Sequence, residues 1–561
     1  MIAIQQRWAN FRAGRSLEGG YVAVMTALCL IVLMGLAAFA VDVGHWYLVG
    51  QQEQDAADAA AMAGVTSLPG NLPGAQTTAL SYSKINGFQN GVNNTTVTPV
   101  LGGSSTRLQV TVSRSVTNFF GSLLGVPTTN VSRTSIADYA GPVPLGSPCN
   151  EFGSDPESTG FMSANCSAAG QFWANVGSPN GTKISGDAYQ DNVCASGVDG
   201  CTGSTNTDYN SQGYFYTVTV THPVTNLQLQ VFDPAMIVVG DTCTIAAANL
   251  TAAAALPAVD TLVTNPSVRY APNAGTYCTG DMNLNSTTGL VDTQFTVHAP
   301  GVNAWDPNSW PLQANCDPTY PNPRTFLPYN GDLSKALDTR TATYSSRPDV
   351  AANFRRWVNL CTISGTVPAG TVPAGTYAVQ VKTNGLGADT AGGHNRFSLR
   401  AFGSGAGDDD VISVSGFDKM AMYANTPNGT TSDYLAKIPS GAKGQTFNVS
   451  LFDVGDGAVA GSTIKILPPA ETTPTTFAGC TGTGPALGTG ALTNCQISVD
   501  STYNGKWEVI SVPIASTYSC TDASVTGCWV RLQFFYGTGS TPNDTFSMTA
   551  NIDGDPVRLV Q

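Results

Sequence analysis

The sequence predicts a mainly β protein, in which an N-terminal transmembrane helix and a helical stalk precede tandem antiparallel β-sandwich domains, jelly-roll-like and cross-linked by disulfides. Three observations predict this fold. Residues 21–41 form an uncharged apolar run, short alternating strands between Gly, Pro, Asn and Asp clusters follow from about Cys149, and twelve of the thirteen cysteines lie outside the apolar run. A chain of 561 residues exceeds what one hydrophobic core usually serves, so several folded units are expected.

The apolar run is long enough to cross a bilayer as one helix, because its residues span about 30 Å at helical rise. The segment Ala38-Phe39-Ala40 is similar to the small-x-small sequence that signal peptidase reads, so a cleaved signal peptide is the alternative. The run is longer than a usual signal-peptide core and stays apolar as far as Asp42, which favours a retained helix.

The charges on either side of the apolar run predict its orientation. Arg7, Arg12 and Arg15 precede it, whereas acidic residues follow it and no Lys or Arg occurs again before Lys84. The positive-inside rule therefore predicts that residues 1–20 form a basic cytoplasmic tail. We expect a single-pass membrane protein whose bulk is extracytoplasmic or at the cell surface.

An alanine-rich helix is predicted to continue outward over residues 42–66. Strong helix formers fill this stretch, and Gly64 or the turn that follows it predicts its end. Four alanines recur at spacings of three and four residues and so share one face: Ala56, Ala59, Ala60 and Ala63. This face either lets another helix approach closely or gives a stable helical stalk.

Three motifs flank and follow the apolar run: Glu18-Gly19-Gly20 before it, Ala40-Val41-Asp42-Val43-Gly44 at its end, and the alanine-rich segment from Gln54 to Gly64. Their order and spacing resemble the N-terminal segment of TadG-like proteins of the Flp/Tad pilus-assembly systems of bacteria. The resemblance covers about residues 15–66. It implies a membrane anchor of a pilus-assembly or pseudopilin-like component, with the remainder of the chain exported.

The exported region is predicted to hold three domains: a small α+β stalk domain at 67–145, a first β-sandwich at 146–345 and a second at 346–561. One strand of strict alternation, Leu108–Ser113, marks the stalk domain. Residues 227–234 and 447–454 are alike, since each is a strand that ends in Phe-Asp before a turn. This similarity predicts a duplicated sandwich.

The cysteine count predicts an oxidising compartment. Twelve cysteines outside the apolar run suit six disulfides, and the short spacings favour Cys194–Cys201, Cys480–Cys495 and Cys520–Cys528. A zinc site is a weaker interpretation, because the sequence has no C-x-x-C or His-paired spacing.

Charge and motif content argue against several classes of function. The net charge is −13, of which residues 42–561 carry −15, so phosphate-backbone binding is not expected. The four histidines are far apart in sequence, and we find none of the common hydrolase, metalloprotease or nucleotide-binding motifs. We therefore predict no enzyme, no catalytic, cofactor-binding or metal-ligating residues, and neither nucleic acid nor nucleotide as a partner.

Two weaker interpretations concern ligands. Asp408-Asp409-Asp410 and Asp453-Val454-Gly455-Asp456 offer carboxylates to Ca²⁺, but turn chemistry explains Asp beside Gly without a metal. Asp522-Ala523-Ser524-Val525-Thr526 approaches a D-x-S-x-S metal motif only partly, and we assign no site there. Five tryptophans form either a sugar-binding platform or, by default, core: Trp305, Trp310, Trp357, Trp507 and Trp529.

The leading hypothesis is a membrane-anchored, exported structural or assembly component of a Flp/Tad-type pilus or envelope apparatus. It would act through protein–protein contacts with other pilus-assembly or envelope proteins, and would contact membrane lipid through residues 21–41. The alternative is a cell-surface adhesin or carbohydrate-binding protein displayed on the same helix. An envelope hydrolase ranks third.

Overall fold

The structure is a computed structural model, and its described residues fall into two compact units. Unit 1 takes the chain up to Leu68, Leu72–Tyr139 and Val557–Gln561, and unit 2 takes Ala140–Pro556. The described residues are 18–68, 72–103, 106–139, 142–154, 172–237, 279–283, 291–314, 316, 321–329, 348–354, 356–365, 368–387, 389, 391–424, 429–472, 475–521, 526–540, 544–553 and 557–560.

Helices are few and strands are many in the described part of the chain. The helices are α1 Glu18–Val65, α2 Leu72–Ile85 and α3 Pro348–Asn353. The strands are β1 Thr95–Leu101, β2 Arg107–Thr117, β3 Thr128–Tyr139, β4 Pro144–Leu145, β5 Glu151–Phe152, β6 Phe172–Val176, β7 Cys201–Thr202, β8 Thr205–Asn206, β9 Tyr214–Val220, β10 Val224–Thr225, β11 Leu227–Phe232, β12 Met282–Asn283, β13 Thr293–His298, β14 Arg324–Phe326, β15 Trp357–Ile363, β16 Thr371–Val372, β17 Gly375–Thr383, β18 Gly393–Phe402, β19 Ile412–Phe417, β20 Lys419–Ala424, β21 Gly429–Lys437, β22 Thr446–Phe452, β23 Thr463–Leu467, β24 Thr481–Gly484, β25 Gly488–Ala491, β26 Gln496–Ser498, β27 Trp507–Pro513, β28 Trp529–Tyr536, β29 Asp544–Ile552 and β30 Val557–Leu559.

Unit 1 packs the second half of α1 and the whole of α2 on one antiparallel sheet. The strand order in this sheet is β1-β2-β3-β30. In β2, Leu108, Val110 and Val112 alternate inward and are fully buried, as the strict alternation of this strand predicts. An α+β arrangement is therefore present here, and α1 belongs to it.

The alanine-rich part of α1 lies against its own unit. Ala56, Ala57, Ala60 and Ala61 are fully buried, and α1 contacts α2, β2 and β3. At Gly64 a Cβ atom would lie 2.5 Å from Leu108 Cδ2 and 2.6 Å from the Ala75 carbonyl oxygen. The small side chains thus serve close packing within the unit, and the helix ends at Val65, one residue after Gly64.

Unit 2 is a β-sandwich built from two large antiparallel sheets around one hydrophobic core. The twelve-stranded sheet has the order β15-β11-β18-β6-β20-β29-β22-β27-β24-β25, with β5 and β12 paired to β18. The ten-stranded sheet has the order β14-β13-β17-β9-β19-β4-β21-β28-β23-β26. Rings from the two sheets meet in the core: Phe397 lies 5.9 Å from Tyr216, and Phe546 lies 5.6 Å from Phe534.

The two sheets contain an internal repeat. In the twelve-stranded sheet, β15-β11-β18-β6 is followed by β20-β29-β22-β27. The second set contains the strands equivalent to the first in reverse order, so that β6 corresponds to β20, β18 to β29, β11 to β22 and β15 to β27. Phe232 pairs with Trp357 on one side and Ser398 on the other, and Phe452 pairs in the same way with Trp507 and Ser547. This order is what a two-fold rotation between β6 and β20 would produce.

The turns after the repeated strands have the same conformation. Asp233 and Asp453 both adopt positive φ, 51° and 63°, and each donates its backbone N–H to the carbonyl before the paired tryptophan, over 3.1 Å in both cases. The similarity of residues 227–234 and 447–454 is therefore structural as well as sequential. It supports the duplication that the sequence predicts.

The repeats share their sheets, which differs from the predicted division at 345/346. Strands β6 and β20, one from each repeat, pair with each other, and β4 pairs with both β19 and β21. The first repeat runs through β18, and the second begins with β19 at Ile412. Alternation in the sequence marks strands but does not specify which distant strand each one pairs with.

Disulfides join neighbouring segments of unit 2. The three predicted pairs, Cys194–Cys201, Cys480–Cys495 and Cys520–Cys528, are present, and Cys316–Cys361 is a fourth. Cys149 is also disulfide-bonded. The remaining cysteines of the predicted six bridges, Cys166, Cys243 and Cys278, lie outside the described residues.

Candidate functional site

The apolar half of α1 presents its side chains to the surroundings. Within the described residues, α1 is the one helix long and apolar enough to cross a membrane. From Tyr21 to Val41 every side chain except Ala38 is exposed. An apolar helical surface of this length, with its backbone hydrogen bonds closed within the helix, suits a lipid environment.

A carboxylate marks the end of the apolar run and is held by a loop of the same unit. We call residues 118–127, which join β2 to β3, the hairpin loop. Asp42 accepts three backbone N–H bonds from it: Phe119 to Oδ1 at 2.7 Å, Gly121 to Oδ2 at 2.7 Å, and Phe120 to Oδ2 at 3.1 Å. The buried carboxylate thus has hydrogen-bond donors directed at both oxygens.

Asn118 gives the hairpin loop its shape. Its backbone N–H donates to the Pro127 carbonyl at 2.9 Å, and its side-chain amide donates to the Val126 carbonyl at 2.9 Å. The next turn, Gly121–Leu124, ends at Gly125, whose left-handed φ of 83° a residue with a Cβ adopts only with strain. These bonds hold the loop's N–H groups where Asp42 can accept them.

The next turn of α1 completes the junction. Trp46 donates its indole N–H to Asn118 Oδ1 at 2.8 Å, and the ring of His45 lies 4.9 Å from that of Phe119. One turn further, Val49 packs with Val116 and Val131. Asp42, Trp46 and Val49 therefore fix the hairpin loop at the position on α1 where the apolar run ends.

Sequence reasoning found part of this site. The sequence predicts the helix on which this site lies, and the structure adds the hydrogen bond from Trp46 to the loop. The role of Asp42 was missed, because its partners lie 77 to 79 residues away. The available signal was a lone acid at the end of an apolar run, followed much later by a loop rich in Phe, Gly and Leu.

Comparison with known proteins assigns the first part of this site. Residues 20–67 match a family model described as "Putative Flp pilus-assembly TadE/G-like". This TadE/G-like segment covers almost all of α1 and the turn that follows, which is less than a tenth of the chain. The resemblance found in the sequence is confirmed. No curated protein and no solved structure matches the chain.

The acidic motifs of unit 2 lie in turns. Asp408 Oδ2 accepts backbone N–H bonds from Thr225 and Gly405, each at 2.8 Å, and Asp409 Oδ1 accepts one from Gly403. Asp453 accepts from the Gly505 N–H, which lies on a neighbouring turn. Each motif therefore has a structural use in closing its turn. The Asp522–Thr526 motif lies largely outside the described residues.

Several buried carboxyls of unit 2 have raised pKa values. Burial, followed by the charge of Asp456, raises the pKa of Asp544 to about 8, while Asp544 Oδ2 accepts bonds from the Gly455 N–H and the Tyr536 hydroxyl. Burial, followed by the charge of Asp191, raises the pKa of Asp187 to about 6. These groups are structural acceptors for backbone and tyrosine donors.

The histidines are separate in the structure. His394 Nε2 is hydrogen-bonded to Asp191 Oδ2 at 2.7 Å, and both side chains are fully buried. His298 is buried between the Trp310 carbonyl and Gln380, and His222 is on an exposed turn. The hydrogen bond between His394 and Asp191 was not anticipated from the sequence.

The five tryptophans considered as a sugar platform have different environments. Trp310 and Trp529 are buried, Trp305 is half exposed, and Trp357 and Trp507 stand at equivalent positions of the two repeats. The latter two pack against Phe232 and Phe452 respectively. Their equivalence gives them a shared structural use beside the repeated Phe-Asp turns.

Proposed function

We propose that this protein is a membrane-anchored, exported structural or assembly component of a Flp/Tad-type pilus or envelope apparatus. The observation that carries the proposal is the TadE/G-like match at residues 20–67, on a helix that runs without a break from an exposed apolar half into the core of unit 1. One continuous helix would transmit position directly from the bilayer to the folded unit.

The proposed orientation places residues 1–20 in the cytoplasm, residues 21–41 in the bilayer and the rest of the chain outside. Three arginines precede the apolar run, and no Lys or Arg occurs again before Lys84. Four disulfides among the described cysteines of unit 2 suit an oxidising compartment. The charge and the cysteine arguments are independent, and both favour export of the bulk of the chain.

The proposed mode of action is protein–protein contact without catalysis. The fully buried His394–Asp191 pair and the acidic residues that close turns make hydrogen bonds within the fold. These titratable groups therefore have structural roles. Partners are then other pilus-assembly or envelope proteins, consistent with the family description of the TadE/G-like segment.

Deletion and complementation test this proposal. We expect cells without the protein to lose pili in electron micrographs, and the full-length chain to restore them. Cross-linking in intact cells, followed by purification of the full chain, should recover pilus-assembly or envelope proteins. Complementation with Gly44→Ala, at a position with open space around it, is the control for expression of an altered helix.

Two outcomes decide between the proposal and the adhesin. Normal piliation in the deletion strain contradicts an assembly role. If that strain instead loses binding to a glycan array while its pili are intact, the surface-adhesin function replaces the proposal.

A further inference from the structure

The hairpin loop exposes an unusually apolar surface. Leu123 and Leu124 are 83% and 85% exposed, Phe119 is 61% exposed, and Phe120 and Val126 are also exposed. The loop contains no charged residue. Exposed apolar side chains concentrated in a single loop indicate a surface that is covered by something in the cell.

The position of this surface identifies what covers it. Asp42, which accepts hydrogen bonds from the loop, is the first residue after the apolar run of α1. The loop therefore lies at the level where the helix would leave the hydrocarbon. Beyond Asp42, α1 still exposes Val43, Tyr47 and Leu48, so the apolar surface of the helix continues past that level.

The backbone of the loop is prepared for an apolar environment. The N–H groups of Phe119, Phe120 and Gly121 donate to Asp42. Further along, Leu123 donates to the Phe120 carbonyl at 3.0 Å and Val126 donates to the Gly121 carbonyl at 2.9 Å. Donors satisfied within the protein are what insertion into lipid requires, since the bilayer offers no replacement bonds.

We propose that the hairpin loop inserts its Phe and Leu side chains into the outer leaflet, as a second lipid contact beside the transmembrane helix. This inference rests on the proposed membrane anchoring of α1. Lipid is favoured as the partner of this surface because the loop lies next to the end of the apolar run. The loop is also uncharged, so it needs no oppositely charged partner. Two lipid contacts on one unit would fix its tilt as well as its height above the bilayer.

Photo-cross-linking of the full-length chain tests the inference. The photoreactive residue p-benzoylphenylalanine replaces Leu124, and the protein is reconstituted into phosphatidylethanolamine–phosphatidylglycerol vesicles that contain an alkyne-tagged phospholipid. Leu33, on the exposed apolar half of α1, is the positive control for the anchor. Leu101, an exposed leucine of the same unit, is the negative control.

The negative control is matched to the loop in residue type and in unit. Leu101 pairs with Leu108, near the end of β2 that is remote from the hairpin loop. Nine strand positions separate Leu108 from Thr117, the last residue of β2 before the loop, or about 30 Å at extended rise. If the lipid contact is specific to the loop, position 124 should therefore give lipid adducts and position 101 should not.

The inference predicts lipid adducts from positions 33 and 124 and background levels from position 101. Adducts from position 33 without adducts from position 124 overturn the loop insertion and leave the anchor intact. A protein adduct from position 124 in cells, in place of lipid, also overturns it. If position 33 gives no lipid adduct, the proposed membrane anchoring itself fails.

Discussion

The two units are stabilised by different kinds of interaction. Unit 1 combines one long helix with a small sheet and depends on close approach of small side chains, as at Gly64. Unit 2 is a duplicated sandwich with a large hydrophobic core, and four disulfides join pairs of its described cysteines. The first should be sensitive to added volume, and the second to reduction.

The two units also differ in whether their sequences match known proteins. The TadE/G-like match ends in the turn that follows α1, and the sandwich of unit 2 has no match among curated proteins or solved structures. A helix with one exposed apolar half and one half packed on a sheet has narrow sequence requirements. A sandwich tolerates many sequences with the same alternation.

The largest expected effect is on unit 2. Replacing Cys316 and Cys361 together with Ala should lower its free energy of unfolding by about 4 kcal/mol, because this bond closes a long loop. The sequence separation is 45 residues. Replacing Cys194 and Cys201, which are separated by 7 residues, should cost about 2 kcal/mol.

Hydrogen-exchange mass spectrometry of the full chain in nanodiscs measures these effects by unit. Peptides of unit 2 should lose protection in both variants, and more in the Cys316/Cys361 variant. Peptides of β2 and β3 should be unchanged. Equal loss of protection in both units would show that the comparison between them is mistaken.

The next largest effect is on unit 1. Gly64→Ala should destabilise it by about 1–3 kcal/mol, because the new methyl group must displace the Leu108 side chain and the Ala75 carbonyl. Gly44→Ala on the same helix meets open space and should be neutral or mildly stabilising. The readout is exchange in α2 and β2, and similar behaviour of the two variants would refute the packing argument.

A smaller effect is expected at the junction of α1 with the hairpin loop. Trp46→Phe keeps an aromatic ring but loses the indole bond to Asn118, at a cost of about 1 kcal/mol. Tyr47→Phe is the matched control, since its hydroxyl bond to Gln51 is exposed. Faster exchange of loop amides in Trp46→Phe alone is the predicted result, and no difference between the two would exclude a role for the indole N–H.

A further effect concerns the dependence of the stability of unit 2 on pH. Burial raises the pKa values of Asp544, Asp281 and Asp187 to about 8, 7 and 6. A carboxyl with a raised folded-state pKa stabilises the fold fully below its unfolded value near pH ~4, and that stability is lost as the pH rises through the folded value. The free energy of unfolding of unit 2 should therefore fall from pH 4 to pH 8.

Asp544→Asn sharpens this pH prediction. The amide keeps an acceptor for the Gly455 N–H and the Tyr536 hydroxyl but does not titrate. Denaturant unfolding of the variant at several pH values should show a shallower loss of stability between pH 6 and pH 8. An unchanged slope would mean that Asp544 does not contribute to it.

Local patterns predicted much of the fold. The apolar run, the end of α1 near Gly64, the alternation of β2 and three disulfides of short spacing are each encoded within a few residues of sequence. The similar Phe-Asp segments revealed the duplication, because a repeated turn with positive φ at Asp leaves a repeated sequence.

Long-range pairing is what the sequence did not reveal. Strand β4 lies between β19 and β21, which are far from it in the chain. Asp42 likewise contacts the hairpin loop, whose residues are distant in sequence. The Cys316–Cys361 bond has the same character. Each depends on the folded geometry of intervening elements, and periodicity contains no information about partners at such distances.

The most direct test of the account is the topology of α1. The chain has no lysine before Lys84, so in residues 1–83 a membrane-impermeant amine reagent finds only the N-terminal amine. In intact spheroplasts the account predicts modification of Lys84 and of Lys506 but not of the N-terminus, which should react only after permeabilisation. Modification of the N-terminus in intact spheroplasts, with Lys84 and Lys506 protected, would contradict it.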